Sequence, residues 1–203
     1  MKHVVVLDYG SGNIRSAVRM LERIGANVEL TADPKLVAVA DGLFVPGVGN
    51  FHACMAGLEA AGGRRLIDDR LAAGAPVLGV CVGMQVMFDG SSEPSTSPQP
   101  GLGRWPGQVE RLAAPVVPHM GWSRVEPPVT TTLFAGIEGE RFYFVHSFAA
   151  SAQLGEGREA TYAAHGERFV AAIEDGVLAA TQFHPEKSGE AGAHLLTNWL
   201  RSL

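Results

Sequence analysis

The chain reads as an α/β protein: a mostly parallel open sheet flanked by helices, with additional antiparallel strands in the C-terminal half. Three observations predict this. Short apolar runs alternate with segments of helical periodicity through the first half of the chain. Each run stops at a turn built from Gly, Pro or Asp. After Ser91 the pattern changes to shorter strand-like pieces with few helical segments between them.

Taken in order, Val4-Val5-Val6-Leu7 is a first buried strand that ends in Asp8-Tyr9-Gly10-Ser11-Gly12-Asn13. That turn is Gly-rich, but it matches neither the dinucleotide nor the P-loop spacing and is not read as a phosphate site. Ile14, Ala17, Val18, Leu21 and Ile24 come next at helical spacing, and Gly25 ends the helix. Val28–Leu30 is a second strand, and Asp33-Pro34 opens a short helix. Gly42–Val45 is a third strand, stopped by Pro46-Gly47-Val48-Gly49. Helical segments through Met55–Leu58 and Leu66–Ala73 lead to the apolar run Pro76-Val77-Leu78. Ser91–Gly107, rich in Ser, Pro and Gly, reads as a surface loop. Val109–Leu112, Arg141–Val145, Thr161–Ala164 and Phe169–Ile173 read as strands, two or more of them pairing antiparallel beside or across the main sheet. Leu195, Leu196, Trp199 and Leu200 sit on one face of a closing helix over Gly192–Leu200. No linker or repeat divides the chain, so residues 1–203 read as one domain.

Composition narrows the function classes. A net charge of −5 with no Lys/Arg run argues against nucleic-acid binding. Two cysteines make no disulfide framework, which fits a reducing compartment. The early charge at Lys2 does not suit a signal peptide, and no apolar run approaches membrane-spanning length. The expectation is a cytoplasmic protein with no membrane segment, no metal and no cofactor.

The chemistry lies in two segments. Gly79-Val80-Cys81-Val82-Gly83 comes after a strand-like run and frames a nucleophile with glycines, as a strand-to-helix elbow requires. Backbone N–H groups just beyond the elbow can face a reacting carbonyl and stabilise an oxyanion. Thr181-Gln182-Phe183-His184-Pro185-Glu186 comes after a second apolar run and supplies an imidazole, with a carboxylate two residues on to orient it. A thiol beside an imidazolium is a good nucleophile. Cys81, His184 and Glu186 are therefore the inventory of a cysteine acyl-transfer enzyme, and the triad alone would also serve a cysteine peptidase. Cys54, in an apolar stretch, reads as a small buried hydrophobe.

Beyond the triad, Pro46-Gly47-Val48-Gly49, Gly101-Leu102-Gly103, Val117-Pro118-His119-Met120-Gly121-Trp122, Tyr143-Phe144-Val145-His146-Ser147 and Ala180–Gly189 carry a resemblance that runs almost end to end. The chain resembles class I glutamine amidotransferases. The Pro-His-Met-Gly-Trp and Tyr-Phe-Val-His-Ser segments narrow this to the glutaminase subunits of imidazole glycerol phosphate synthases. The resemblance implies hydrolysis of glutamine through a Cys81 glutamyl thioester. It implies an oxyanion hole from Val82 and the Val48–Gly49 segment, where a peptide can flip to present the second donor. It implies glutamine contacts at Gly49, Gln85, Glu93, Ser147 and Phe148. It also implies a docking face of Asn13, Pro118, His119, Met120, Trp122, Tyr143 and Lys187 against a (βα)8-barrel cyclase subunit, which receives the ammonia and binds the phosphate-bearing substrate. Val80 and Val82 stand where Ile and Leu are usual, Asn50 and Phe148 replace Ala and Tyr, and Ser123 replaces Asn.

Overall fold

The computed structural model describes residues 1–12, 14–151, 154 and 160–203. Strand β1 (His3–Leu7), helix α1 (Ile14–Arg23), strand β2 (Asn27–Thr31), helix α2 (Pro34–Val39) and strand β3 (Gly42–Val45) open the chain. Helices α3 (Phe51–Ala60) and α4 (Gly63–Ala72), strand β4 (Val77–Val80) and the single turn α5 (Val82–Gln85) continue it. Strands β5 (Phe88–Ser91), β6 (Trp105–Arg111), β7 (His119–Arg124), β8 (Arg141–His146), β9 (Phe148–Ala150), β10 (Ala160–His165), β11 (Glu167–Asp175) and β12 (Leu178–Thr181) come next. A 3-10 turn at Pro185–Lys187 and helix α6 (Gly189–Ser202) close it.

Seven strands form the central sheet in the order β10-β11-β12-β4-β3-β1-β2. The stretch from β12 to β2 is parallel, while β10 and β11 pair antiparallel along one edge. Every residue of β3, β4 and β12 is buried, as expected for strands with both faces covered. Ala17, Met20 and Leu21 of α1 and Leu195, Leu196, Trp199 and Leu200 of α6 supply apolar helix faces to the core. Among the described residues, side-chain caps open two of the helices. Asp33 Oδ1 accepts from the Lys35 N–H at 2.8 Å at the start of α2, and Asn50 Oδ1 accepts from the N–H groups of His52 and Ala53 at the start of α3. The unusual Asn50 thus has a local reason.

The second half differs from the expectation in three places. The surface loop is shorter than Ser91–Gly107, because Ser91 closes β5 and Trp105 opens β6, and the two strands pair at Gly90–Gln108 and Ser91–Val109. Fully buried Trp105 anchors that pairing. The Pro118–Trp122 stretch, absent from the expected strands, is largely strand: His119–Arg124 pairs antiparallel with β8 over six residue pairs. The short β9 completes a three-stranded sheet, β5-β6-β9.

Candidate active site

Three adjacent parallel strands, β12, β4 and β3, end side by side at one edge of the sheet. Each strand delivers one part of the chemistry just beyond its carboxyl end: β12 the His184 loop, β4 Cys81, and β3 the Pro46–Gly49 segment. This is where the ligands of open α/β sheets bind.

Cys81 has φ 57° and ψ −115°, and it is the one non-glycine with positive φ among the described residues. Its glycine frame is needed for close backbone approach. A Cβ on Gly79 would lie 2.5 Å from the Gly83 carbonyl oxygen, and one on Gly83 would lie 2.0 Å from that of Val45. The Cys81 N–H donates to the Thr181 carbonyl at 2.8 Å, which ties the elbow to β12. The helix beyond it is only one turn long, so an anion beside Cys81 would meet individual N–H groups rather than a long macrodipole.

His184 is held from both sides. Its N–H donates to the Tyr143 carbonyl at 2.9 Å, and its carbonyl accepts from Ser188 Oγ at 2.7 Å. The ring Nδ1 meets Glu186 Oε1 at 2.7 Å, and the ring shares the cavity wall with Cys81. Both side chains of the His184–Glu186 pair are almost fully buried. Burial alone would lower the His184 pKa, but interaction with Cys81 and Glu186 and their negative charge outweigh it and raise it to about 9. A protonated imidazole beside a sulfur stabilises the thiolate.

Cys81, Val82, His184 and Lys187 line a cavity of about 550 Å³ together with Val48 and Gly49 on one side and Ser147 and Phe148 on another. Gln85 and Glu93 complete the wall. Every residue expected to contact glutamine therefore faces one space, though several already hold hydrogen-bond partners of their own. Gln85 Nε2 donates to the Phe148 carbonyl at 2.8 Å and to Gln182 Oε1 at 2.9 Å, which leaves its own Oε1 as the free acceptor. Glu93 Oε2 accepts from the Phe51 N–H at 2.7 Å. The Val82 N–H, expected as an oxyanion donor, donates at 3.3 Å to the Gly47 carbonyl.

The expected docking residues divide. Met120 and Trp122 are 62% and 52% exposed on β7, and the Trp122 ring meets the Tyr143 ring edge-on at 6.0 Å. His119 points the opposite way, as strand alternation requires, and is only 3% exposed. Instead of lying on the outer face, it packs inward: its Nδ1 meets His146 Nε2 at 3.0 Å and its Nε2 meets Ser123 Oγ at 2.8 Å. Pro118 and Lys187 line the cavity. Asn13 lies outside the described residues.

Two features escaped the sequence reading. Gln182 Nε2 lies 3.8 Å from Cys81 Sγ. Its signal was available, because residues two apart in an extended segment share a face and Gln182 is two before His184. Cys54, read as a plain hydrophobe, is buried but donates its thiol to the Val48 carbonyl at 3.2 Å. Among the described residues no His/Cys/Asp/Glu group is arranged to hold a metal ion, and no helix is long and apolar enough to cross a membrane.

The chain belongs to the class-I glutamine amidotransferase family, whose model matches residues 5–203. Within it, a Corynebacterium diphtheriae protein named imidazole glycerol phosphate synthase subunit HisH is 57% identical over 98% of this chain and 99% of its own. The Mycolicibacterium paratuberculosis protein of the same name is 57% identical over 100% and 98%. A solved glutamine amidotransferase structure superposes with a TM-score of 0.75 at 21% identity, covering 98% of this chain and 99% of its own. PurLQS from Thermotoga maritima does so at 0.75 and 20%, covering 100% and 99%. At those identities the two structures speak to the fold alone, which is the α/β arrangement expected from the sequence.

Proposed function

We propose that this chain is the glutaminase subunit of an imidazole glycerol phosphate synthase in histidine biosynthesis, working with a cyclase partner subunit. The observation that carries the reading is the meeting of Cys81, His184 and Glu186 over one cavity at the ends of neighbouring strands. The names of the full-length relatives support the particular synthase.

In this mechanism glutamine enters the cavity with its side-chain amide at Cys81. The thiolate sulfur attacks the amide carbon, and the carbonyl oxygen becomes an oxyanion held by the backbone N–H groups of Val82 and the Val48–Gly49 segment. The C–N bond breaks as the His184 imidazolium gives its proton to the leaving nitrogen, releasing ammonia and a Cys81 glutamyl thioester. Neutral His184 then takes a proton from water, hydroxide adds to the thioester, and glutamate leaves as the sulfur is reprotonated through His184. Glu186 keeps the ring oriented throughout. Gly49, Gln85, Glu93, Ser147 and Phe148 hold the amino-acid end of the substrate. The exposed Met120 and Trp122, with Tyr143, form the docking face toward a (βα)8-barrel cyclase, which takes the ammonia directly.

The test is glutamate release from glutamine by the chain with and without the cyclase subunit and its nucleotide ligand. Stimulation by partner and ligand is expected. Cys81→Ala should abolish glutamine-dependent synthesis while the complex still uses free ammonia. Glutamate release by Cys81→Ala would overturn the assignment of the nucleophile.

A further inference from the structure

The Pro46–Gly49 segment is held at three successive carbonyls. The Pro46 carbonyl accepts from the Tyr9 hydroxyl. The Gly47 carbonyl accepts from the Val82 N–H at 3.3 Å. The Val48 carbonyl accepts from the Cys54 thiol at 3.2 Å. The middle contact is the one that opposes the chemistry. It occupies the Val82 N–H that the oxyanion needs. Because the N–H and C=O of a trans peptide point in opposite directions, it also turns the Val48 N–H away from the same spot.

A half-turn of the Gly47–Val48 peptide about the line joining its two Cα atoms corrects both faults at once. It releases the Val82 N–H and presents the Val48 N–H. Such a rotation changes only the ψ of Gly47 and the φ of Val48 if the peptides on either side stay where they are. Those flanking peptides are the ones that Tyr9 and Cys54 hold. Tyr9 reaches in from the loop after β1 and Cys54 from α3, and both are buried. Burial pushes both pKa values up, so Tyr9 remains a phenol and Cys54 a thiol, each with a proton to donate.

Resting on the glutaminase reading above, we propose that Tyr9 and Cys54 are positioning residues that clamp the two peptides flanking Gly47–Val48. The clamp confines the rearrangement to one peptide and sets the oxyanion hole when that peptide turns. Neither side chain need touch glutamine. Their contribution belongs to the transition state and so to kcat rather than to KM.

The experiment uses the full chain in complex with its cyclase subunit and nucleotide ligand, with Tyr9→Phe, Cys54→Ala and Cys54→Ser compared with the parent. Co-elution with the partner and an unchanged melting curve establish that each variant is folded. If Tyr9→Phe alone meets that standard, it decides the matter alone. Stimulated kcat should fall about tenfold in Tyr9→Phe and in Cys54→Ala with KM for glutamine unchanged, on the order of one lost hydrogen bond. Cys54→Ser, which keeps a donor, should stay near the parent. An unchanged kcat in the folded variants overturns the proposal, as does a loss expressed only in KM or an equal loss in Cys54→Ser and Cys54→Ala. If the parent complex itself releases no glutamate, it is the glutaminase reading that fails.

Discussion

The Glu186 carboxylate is buried, and one oxygen meets the His184 ring at 2.7 Å, so removing its charge acts first on the His184 proton. Glu186→Gln is expected to bring the His184 pKa down from about 9, measured by NMR titration of the ring protons, and to lower kcat by roughly 10²–10⁴-fold. An unmoved titration would mean that Cys81 alone sets the imidazole. The same shift has a consequence for stability. A histidine whose pKa is higher folded than unfolded stabilises the fold fully below about 6.5, and that contribution is lost as pH rises through about 9. At this scale the sequence was most legible where the signal was local. Cys81 lies in its glycine frame, and His184 and Glu186 lie two residues apart. The engagement of the Val82 N–H by Gly47 and the hold of Tyr9 and Cys54 on Pro46 and Val48 were not legible, because they arise only when separate loops meet in space.

The β7–β8 hairpin shows where element-level reading failed and why. The sequence assigns no strand to Pro118–Trp122, yet pairing with β8 makes His119–Arg124 a strand whose alternation sends His119 inward and Met120 outward. The inward histidine joins a hydrogen-bonded chain whose protons are assigned by the acceptor at its end. The Phe148 carbonyl can only accept, so His146 Nδ1 carries a proton, His146 Nε2 accepts from His119 Nδ1, and His119 Nε2 accepts from Ser123. Burial, followed by the charge of His165, lowers the His119 pKa to about 4. Burial, with smaller contributions from neighbouring histidines, lowers that of His146 to about 3 against the pull of the Phe148 carbonyl. Between pH 6.5 and those values the unfolded chain binds protons that the folded chain refuses, so stability is expected to fall as pH falls. Urea midpoints measured across that range should slope downward toward acid, and the slope should flatten in His119→Asn. The hairpin also carries Tyr143, whose backbone bonds both His184 and Ser188, so the element expected to dock is physically joined to the His184 loop.

For the molecule as a whole, the parallel sheet was legible from alternating apolar runs and turns, and the order of its strands was not. Nothing local states that β12, from the end of the chain, lies beside β4. That long-range pairing is what brings His184 to Cys81. The outer face of the hairpin, with Met120 and Trp122 exposed, gives the prediction at this scale. Trp122→Ser should weaken binding to the cyclase subunit by tenfold or more, as measured by titration calorimetry, since exposed aromatics are the usual anchors of an interface. The melting temperature of the chain alone should stay the same. Unchanged affinity would move the docking face elsewhere.

The backbone of Cys81 sits in a conformation that suits glycine, at a cost on the order of 1–3 kcal/mol for a residue with a side chain. Glycine at that position would shed the strain and lose only part of the gain to its looser unfolded chain. Above about pH 9, where the His184 contribution has gone, Cys81→Gly is therefore expected to melt at a higher temperature than the parent while hydrolysing nothing, by calorimetry and glutamate assay on the same preparation. Selection for sturdiness alone would remove Cys81. If Cys81 is the nucleophile proposed above, its presence in the chain records a standing trade of stability for activity at a single residue.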